Sequence, residues 1–141
     1  MDICFRDEQH REFYLGCIEQ ANCNGVPVDV YFKSFVYLCG LCPEIRQHFS
    51  DLFDWSPASR GIDSLEKGWQ TGTSRKVTRL AFNLWNGWCR EYETDEQASC
   101  LYAPDEIFCC GYQEYFFEAL RLRFPEYSQC RRDGASDKQA I

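Results

Sequence analysis

Several things are scarce in this chain, and each absence narrows the reading. The opening residues, MDICFRDEQHREFY, lack the basic start and unbroken apolar stretch of a signal peptide. The most apolar run, 28–42, is interrupted by Asp29 and Lys33 and falls short of the ~20 residues needed to span a bilayer. These absences set the expectation of a cytoplasmic protein with no membrane partner. Its ten cysteines are then expected as reduced thiols rather than as a disulfide framework. Positive charge is also short: 15 lysines and arginines face 22 acids, for a net charge of −7. That balance argues against a whole surface that binds nucleic acid through counterion release. No internal repeat, no alternating strand pattern and no catalytic signature is found.

What the chain does have is apolar and aromatic mass. Hydrophobic residues make up 45% and rings 16% of 141 residues, enough for one domain with a real core and too few for two. The spacing predicts an all-α fold, a compact single domain of about five or six short helices over 1–127, with a flexible polar tail over 128–141. Asp7 can cap a first helix to about Asn22, with Phe13, Cys17, Ile18 and Ala21 inward. Asp29 caps a second helix, burying Val30, Tyr31, Phe35, Leu38 and Cys39, and Gly40 ends it. Pro43 begins a third, with Ile45, Phe49, Leu52 and Phe53 inside. Residues 54–73 read as a long irregular segment that packs through Trp55, Ile62, Leu65 and Trp69. Ala103-Pro104-Asp105 opens a last helical stretch that runs to Phe124 and is stopped by Pro125.

The most legible element is GWQTGTSRKVTRLAFNLWNG, 68–87. From Ser74 onward, Val77, Leu80, Ala81, Leu84, Trp85 and Trp88 recur at helical spacing. Arg75, Lys76, Arg79, Asn83 and Asn86 hold the other face. Thr73 or Ser74 is placed to cap it, and Gly87 to end it. This block, with FRDEQHREFY near the start and EIFCCGYQEYFFEALRLRFPEY near the end, resembles a family of small proteins filed as a domain of unknown function. The likeness runs from about Phe5 to Tyr127. The resemblance implies carriage by conjugative elements and prophages of Gram-positive gut bacteria. Small accessory proteins in that setting often interfere with host defence nucleases, anti-CRISPR proteins among them. It implies no activity and transfers no catalytic or binding residue.

Four constellations of residues carry candidate chemistry. Thr73, Ser74, Arg75, Lys76, Arg79 and Asn83 define a candidate anion or partner site at a helix N-terminus, where Arg75 and Lys76 stand against the helix dipole. The blander alternative is that these cations pair with the protein's own acids. The segment is not a P-loop, since the Lys-Ser/Thr pair is missing at the required spacing. Cys39-x-x-Cys42 with His48 and Cys109-Cys110 suggests zinc only weakly, because adjacent cysteines make a poor second pair, and no metal or cofactor is assigned. A cysteine nucleophile with His10 or His48 finds no support, both histidines reading as surface residues, and no catalytic residue is assigned. Lastly, Trp85, Trp88, Tyr112, Tyr115, Phe116 and Phe117 are either core or a contact patch.

The functional expectation is a non-enzymatic interaction protein whose partner is a nucleic-acid-processing protein, such as a nuclease of a host defence system. Its acidic residues Glu91, Glu93, Asp95, Glu96, Asp105 and Glu106 would sit in a basic groove. The alternatives are direct nucleic-acid or nucleotide binding through the 73–83 face, and a small Cys/His enzyme.

Overall fold

The computed structural model describes residues 2–89 and 101–128. Seven α-helices occupy most of them: α1 (Glu8–Asn24), α2 (Val30–Cys39), α3 (Pro43–Gln47), α4 (Phe49–Leu52), α5 (Gly72–Asn86), α6 (Pro104–Ile107) and α7 (Gln113–Arg123). The fold is all-α, as the spacing predicts. Two 3-10 turns, Ile62–Glu66 and Pro125–Tyr127, complete the helical part.

The centre of the molecule is α2. Phe32, Ser34, Phe35, Val36, Tyr37, Leu38 and Cys39 are all buried, so the helix is covered on most sides from Ser34 onward, as expected for a stretch that is largely apolar. It packs against α5, α7 and α1. Tyr31 departs from expectation: it projects outward and is 42% exposed. Helix α5 runs along α2 and stacks Phe82 on Phe35, with ring centroids 5.8 Å apart. Phe82 belongs to the core although the helical spacing places Val77, Leu80, Ala81, Leu84, Trp85 and Trp88 on the inward face and not Phe82. The buried arc of α5 is wider than one stripe because α2 covers it on one side and α6 borders it on another.

Capping follows the sequence at several ends. The Asp7 carboxylate accepts the His10 N–H at 2.8 Å, and Asp29 accepts the Phe32 N–H at 2.9 Å. Gly87 ends α5 at φ 77°, a left-handed conformation that suits glycine. The α5 N-cap is Thr71, not Thr73 or Ser74. Thr71 Oγ1 accepts the Ser74 N–H at 3.0 Å while Ser74 Oγ accepts the Thr71 N–H at 2.7 Å, a reciprocal capping box.

Three further details differ from expectation. The third helix breaks at His48 into α3 and α4. The last helical stretch breaks at 108–112 into α6 and α7, where Gly111 interrupts helical propensity. Over 53–60 the chain forms a hairpin of two two-residue strands, β1 (Phe53–Asp54) with β2 (Ser59–Arg60), pairing Phe53 with Arg60 and Asp54 with Ser59. Histidine 10 is the clearest correction, being 0% exposed rather than on the surface. Its ring lies 4.6 Å from that of Tyr37 and 5.2 Å from that of Phe5, and Gly40 leaves room for it. Of the expected tail, only Ser128 falls within the described residues, tied by its hydroxyl to the Phe124 carbonyl at 3.0 Å.

Candidate functional site

The 73–83 face is largely engaged inside the protein. Ser74 is buried and its hydroxyl donates to Gln70 Oε1 at 2.6 Å. Arg75 Nε donates to the Leu65 carbonyl at 3.2 Å. Lys76 Nζ donates to the Glu106 carbonyl at 2.6 Å and sits 3.8 Å from its carboxylate. Asn83 Nδ2 donates to the Trp88 carbonyl at 3.0 Å, closing the chain over the end of α5. Thr73 is exposed and Arg79 half-buried. Of the acidic set, Asp105 is exposed and Glu106 faces Lys76, while Glu91, Glu93, Asp95 and Glu96 lie outside the described residues.

The cysteines of the 39–42 pair have different surroundings. Cys39 is fully buried near Cys17 and Arg60, and burial pushes its thiol well above the ordinary value. Cys42 lies beside Tyr112 and Cys110, and burial pushes it up to about 12. Among the described residues no group of three or more His, Cys, Asp or Glu side chains is arranged to hold a metal ion. His48 is not paired with a cysteine: its ring stacks on Trp69, with centroids 4.7 Å apart and planes 6° from parallel. The Trp69 indole N–H donates to Asp51 at 2.8 Å, so this trio locks the 54–73 segment onto α4.

The structure instead brings together a cleft that sequence reasoning missed. It encloses about 350 Å3 between the start of α2, the hairpin and the end of α5, and is lined in part by Asp29, Tyr31, Ala58, Arg60 and Trp85. Arg60 is its centre. The guanidinium carbon lies 3.9 Å from the Trp85 ring, 5.1 Å from Phe35 and 5.3 Å from Phe53. Aromatic faces attract a cation at these distances, and more strongly where water is excluded. Burial pulls the Arg60 pKa down to about 10, leaving it charged at neutral pH. Its Nε is buried without a hydrogen-bond partner among the described residues.

Local structure explains how Arg60 arrives there. Asp54 Oδ1 accepts the Ser56 N–H at 3.0 Å and starts a tight turn. Ala58 completes it at φ 51°, a left-handed conformation uncommon for a residue with a side chain. Gly61 N–H then donates to the Leu52 carbonyl at 2.6 Å, and a Cβ at Gly61 would collide with the Asp51 carbonyl. Beside the cleft, the Arg123 guanidinium lies 4.0 Å from the Tyr31 ring and 4.4 Å from Phe124. Its Nε donates to the Leu84 carbonyl at 2.6 Å. Phe124 in turn meets Tyr127, which is 80% exposed. A second recess of about 220 Å3 between α5, α6 and α7 is lined by Leu80, Leu84, Ile107 and neighbours, with no charged group among the described residues.

Fold and site together define a small all-α protein with an arginine-centred cleft and an adjoining Tyr/Arg surface. Its chain matches, over residues 1–136, a family of unknown function, DUF6075, and it belongs to that family. No curated protein and no solved structure matches it.

Proposed function

We propose that this protein is a non-enzymatic binding protein that engages a protein partner through the surface running from the Arg60 cleft across Tyr31 and Arg123 to Tyr127. The observation that carries this reading is the Arg123–Tyr31 stack at 4.0 Å, next to Arg60 on Trp85. Arginine, tyrosine and tryptophan are the residue types that dominate binding energy at protein interfaces. Here their orientations are fixed by stacking and by backbone hydrogen bonds, so little freedom is lost on association. In the finer form of the proposal, the partner is a nucleic-acid-processing protein, a host defence nuclease included, and the setting is a mobile element. That part rests on the resemblance of the 68–87 block and its flanks, and on the acidic balance of the chain. Exposed Asp105 and the 91–96 acids would then meet basic ground on the partner. Direct nucleic-acid binding draws less support, because Ser74, Arg75 and Lys76 are occupied by protein oxygens.

The test is affinity capture from host lysate with the wild-type chain and with Tyr31→Ala. The expected result is a specific protein that the variant recovers at least ~10-fold less well, the loss of one well-placed contact. Equal recovery by both would overturn the surface assignment. Enrichment of proteins unrelated to nucleic-acid processing would overturn the finer reading and leave the surface standing.

A further inference from the structure

The chemistry left open in the cleft is specific. A guanidinium is planar, with two faces and an edge of five N–H donors. The rings of Trp85, Phe35 and Phe53 surround Arg60, and its buried Nε–H has no protein acceptor among the described residues. A half-buried cation held only by rings is incompletely satisfied, since burial takes away water without supplying oxygen. Asp29 lines the same cleft and acts on Arg60 through space. Its Oδ1 caps α2, while its other oxygen accepts from no protein donor among the described residues. The remaining walls include Val26, Pro27, Phe32 and Ala58, which are apolar.

We infer that the cleft captures the free C-terminus of a partner polypeptide that ends in a medium-sized apolar residue. The terminal carboxylate lies along the Arg60 edge, where two parallel N–H groups match its two oxygens. The N–H of the last residue donates to Asp29. The terminal side chain rests on Val26, Pro27 and the exposed part of Trp85. Phosphate fits less well, because a second negative charge would stand near Asp29 without a second cation lining the cleft. An internal Asp or Glu fits less well too. Its chain would have to continue both ways through about 350 Å3, the small end of ligand pockets. This inference rests on the partner-binding reading of the same surface and names what that surface recognises.

The experiment uses the full chain and titrates it with tripeptides acylated by a fluorophore at the N-terminal amine, Gly-Gly-Val and Gly-Gly-Lys, each as free acid and as C-terminal amide, with valine and inorganic phosphate as competitors. The expected result is that the Val free acid binds ~10-fold or more tightly than its amide, as for loss of a charge-assisted bidentate pair. Valine alone, lacking the amide N–H, should compete weakly, and phosphate not at all. Asp29→Asn retains a good helix cap and should narrow the gap between peptide acid and phosphate. Arg60→Gln should abolish the acid–amide difference at temperatures where circular dichroism shows the variant folded. Equal binding of acid and amide, stronger competition by phosphate than by peptide acid, or no peptide binding at millimolar concentration would overturn the inference. If Tyr31→Ala still loses the captured protein while acid and amide peptides behave alike, the surface stands and the C-terminus assignment falls.

Discussion

His10 donates its Nε2–H to the Tyr37 carbonyl at 2.7 Å, and its Nδ1 accepts the Arg6 backbone N–H at 3.0 Å. An N–H pointing at Nδ1 fixes that nitrogen as the acceptor, so the ring is neutral with its proton on Nε2. Burial holds its pKa down at about 4 against an ordinary 6.5. The unfolded chain therefore binds a proton at His10 before the folded one does. Its contribution to stability is complete above pH 6.5 and is lost as the pH falls toward 4, by ~3 kcal/mol in all. Denaturant melts between pH 7 and pH 4 should show that slope at low pH, and His10→Gln should flatten it at the cost of a lower plateau. A wild-type curve flat between pH 6.5 and 4 would mean that the ring protonates without resistance.

Scaffold and surface can be separated on α5 alone. Leu84 is 3% exposed, and Leu84→Ala should cost ~2–5 kcal/mol, as for other large-to-small changes in packed cores. Phe82→Ala should fall in the ~3–5 kcal/mol range because it also removes the stack on Phe35. Asn83→Ala gives up one hydrogen bond to the Trp88 carbonyl and should cost only ~0.5–1.5 kcal/mol. Urea titrations of the three variants would show the ranking directly.

Lys76 and Glu106 form a pair whose two contacts differ in weight. The bond from Nζ to the Glu106 carbonyl is 2.6 Å, whereas the carboxylate is 3.8 Å away and half-exposed. Lys76→Met should therefore cost ~1.5–3 kcal/mol, the range for a hydrogen bond to a charged group. Glu106→Gln should change stability by less than ~1 kcal/mol, as for a surface ion pair. A larger effect of Glu106→Gln would show that the ion pair, not the carbonyl contact, holds α6 to α5.

Gly61→Ala tests the hairpin that presents Arg60. The added methyl would meet the Asp51 carbonyl, so β2 must shift away from α4. The expected cost is ~1–3 kcal/mol, the range for overpacking. Because Arg60 adjoins this residue, the variant should also lose binding in the cleft at temperatures where it remains folded. Circular dichroism and peptide titration on one sample would separate the two effects.

Thiol reactivity should divide the cysteines by burial. Cys4, Cys23, Cys89 and Cys109 are exposed free thiols and should react with a disulfide reagent within minutes at pH 8. Cys17 and Cys39 are buried, burial pushing Cys17 up to about 12, and should react only as fast as the protein opens. Mass spectrometry after timed labelling would assign each site. Early labelling of Cys39 would contradict the packing of α2.

Much of the secondary structure is local chemistry and was readable for that reason. Asp7, Asp29, Pro43 and Gly87 act within a few residues of themselves, and each does what its type does at a helix end. The apolar spacing of 77–84 likewise needed no partner to be recognised. Local pattern misleads where residues of different elements meet. Asp29 was readable as a cap, but its sharing a cleft with Arg60 was not. A histidine among charged neighbours reads as a surface group, and only the fold of α1 against α2 puts Phe5 and Tyr37 around it.

The cleft belongs wholly to tertiary structure. Arg60 stands 25 residues before Trp85 and 25 after Phe35 in the numbering of the chain, and no periodic pattern links positions on a helix, a hairpin and a second helix. The sequence by itself determined that rings and helices would be plentiful and that the chain would fold as helices around an apolar core. Only the packing of the hairpin into the angle between α2 and α5 decided which arginine would lose its water and lie against the rings. Burial and cation–π attraction depend on distance in space, and that distance is set only when the chain has closed.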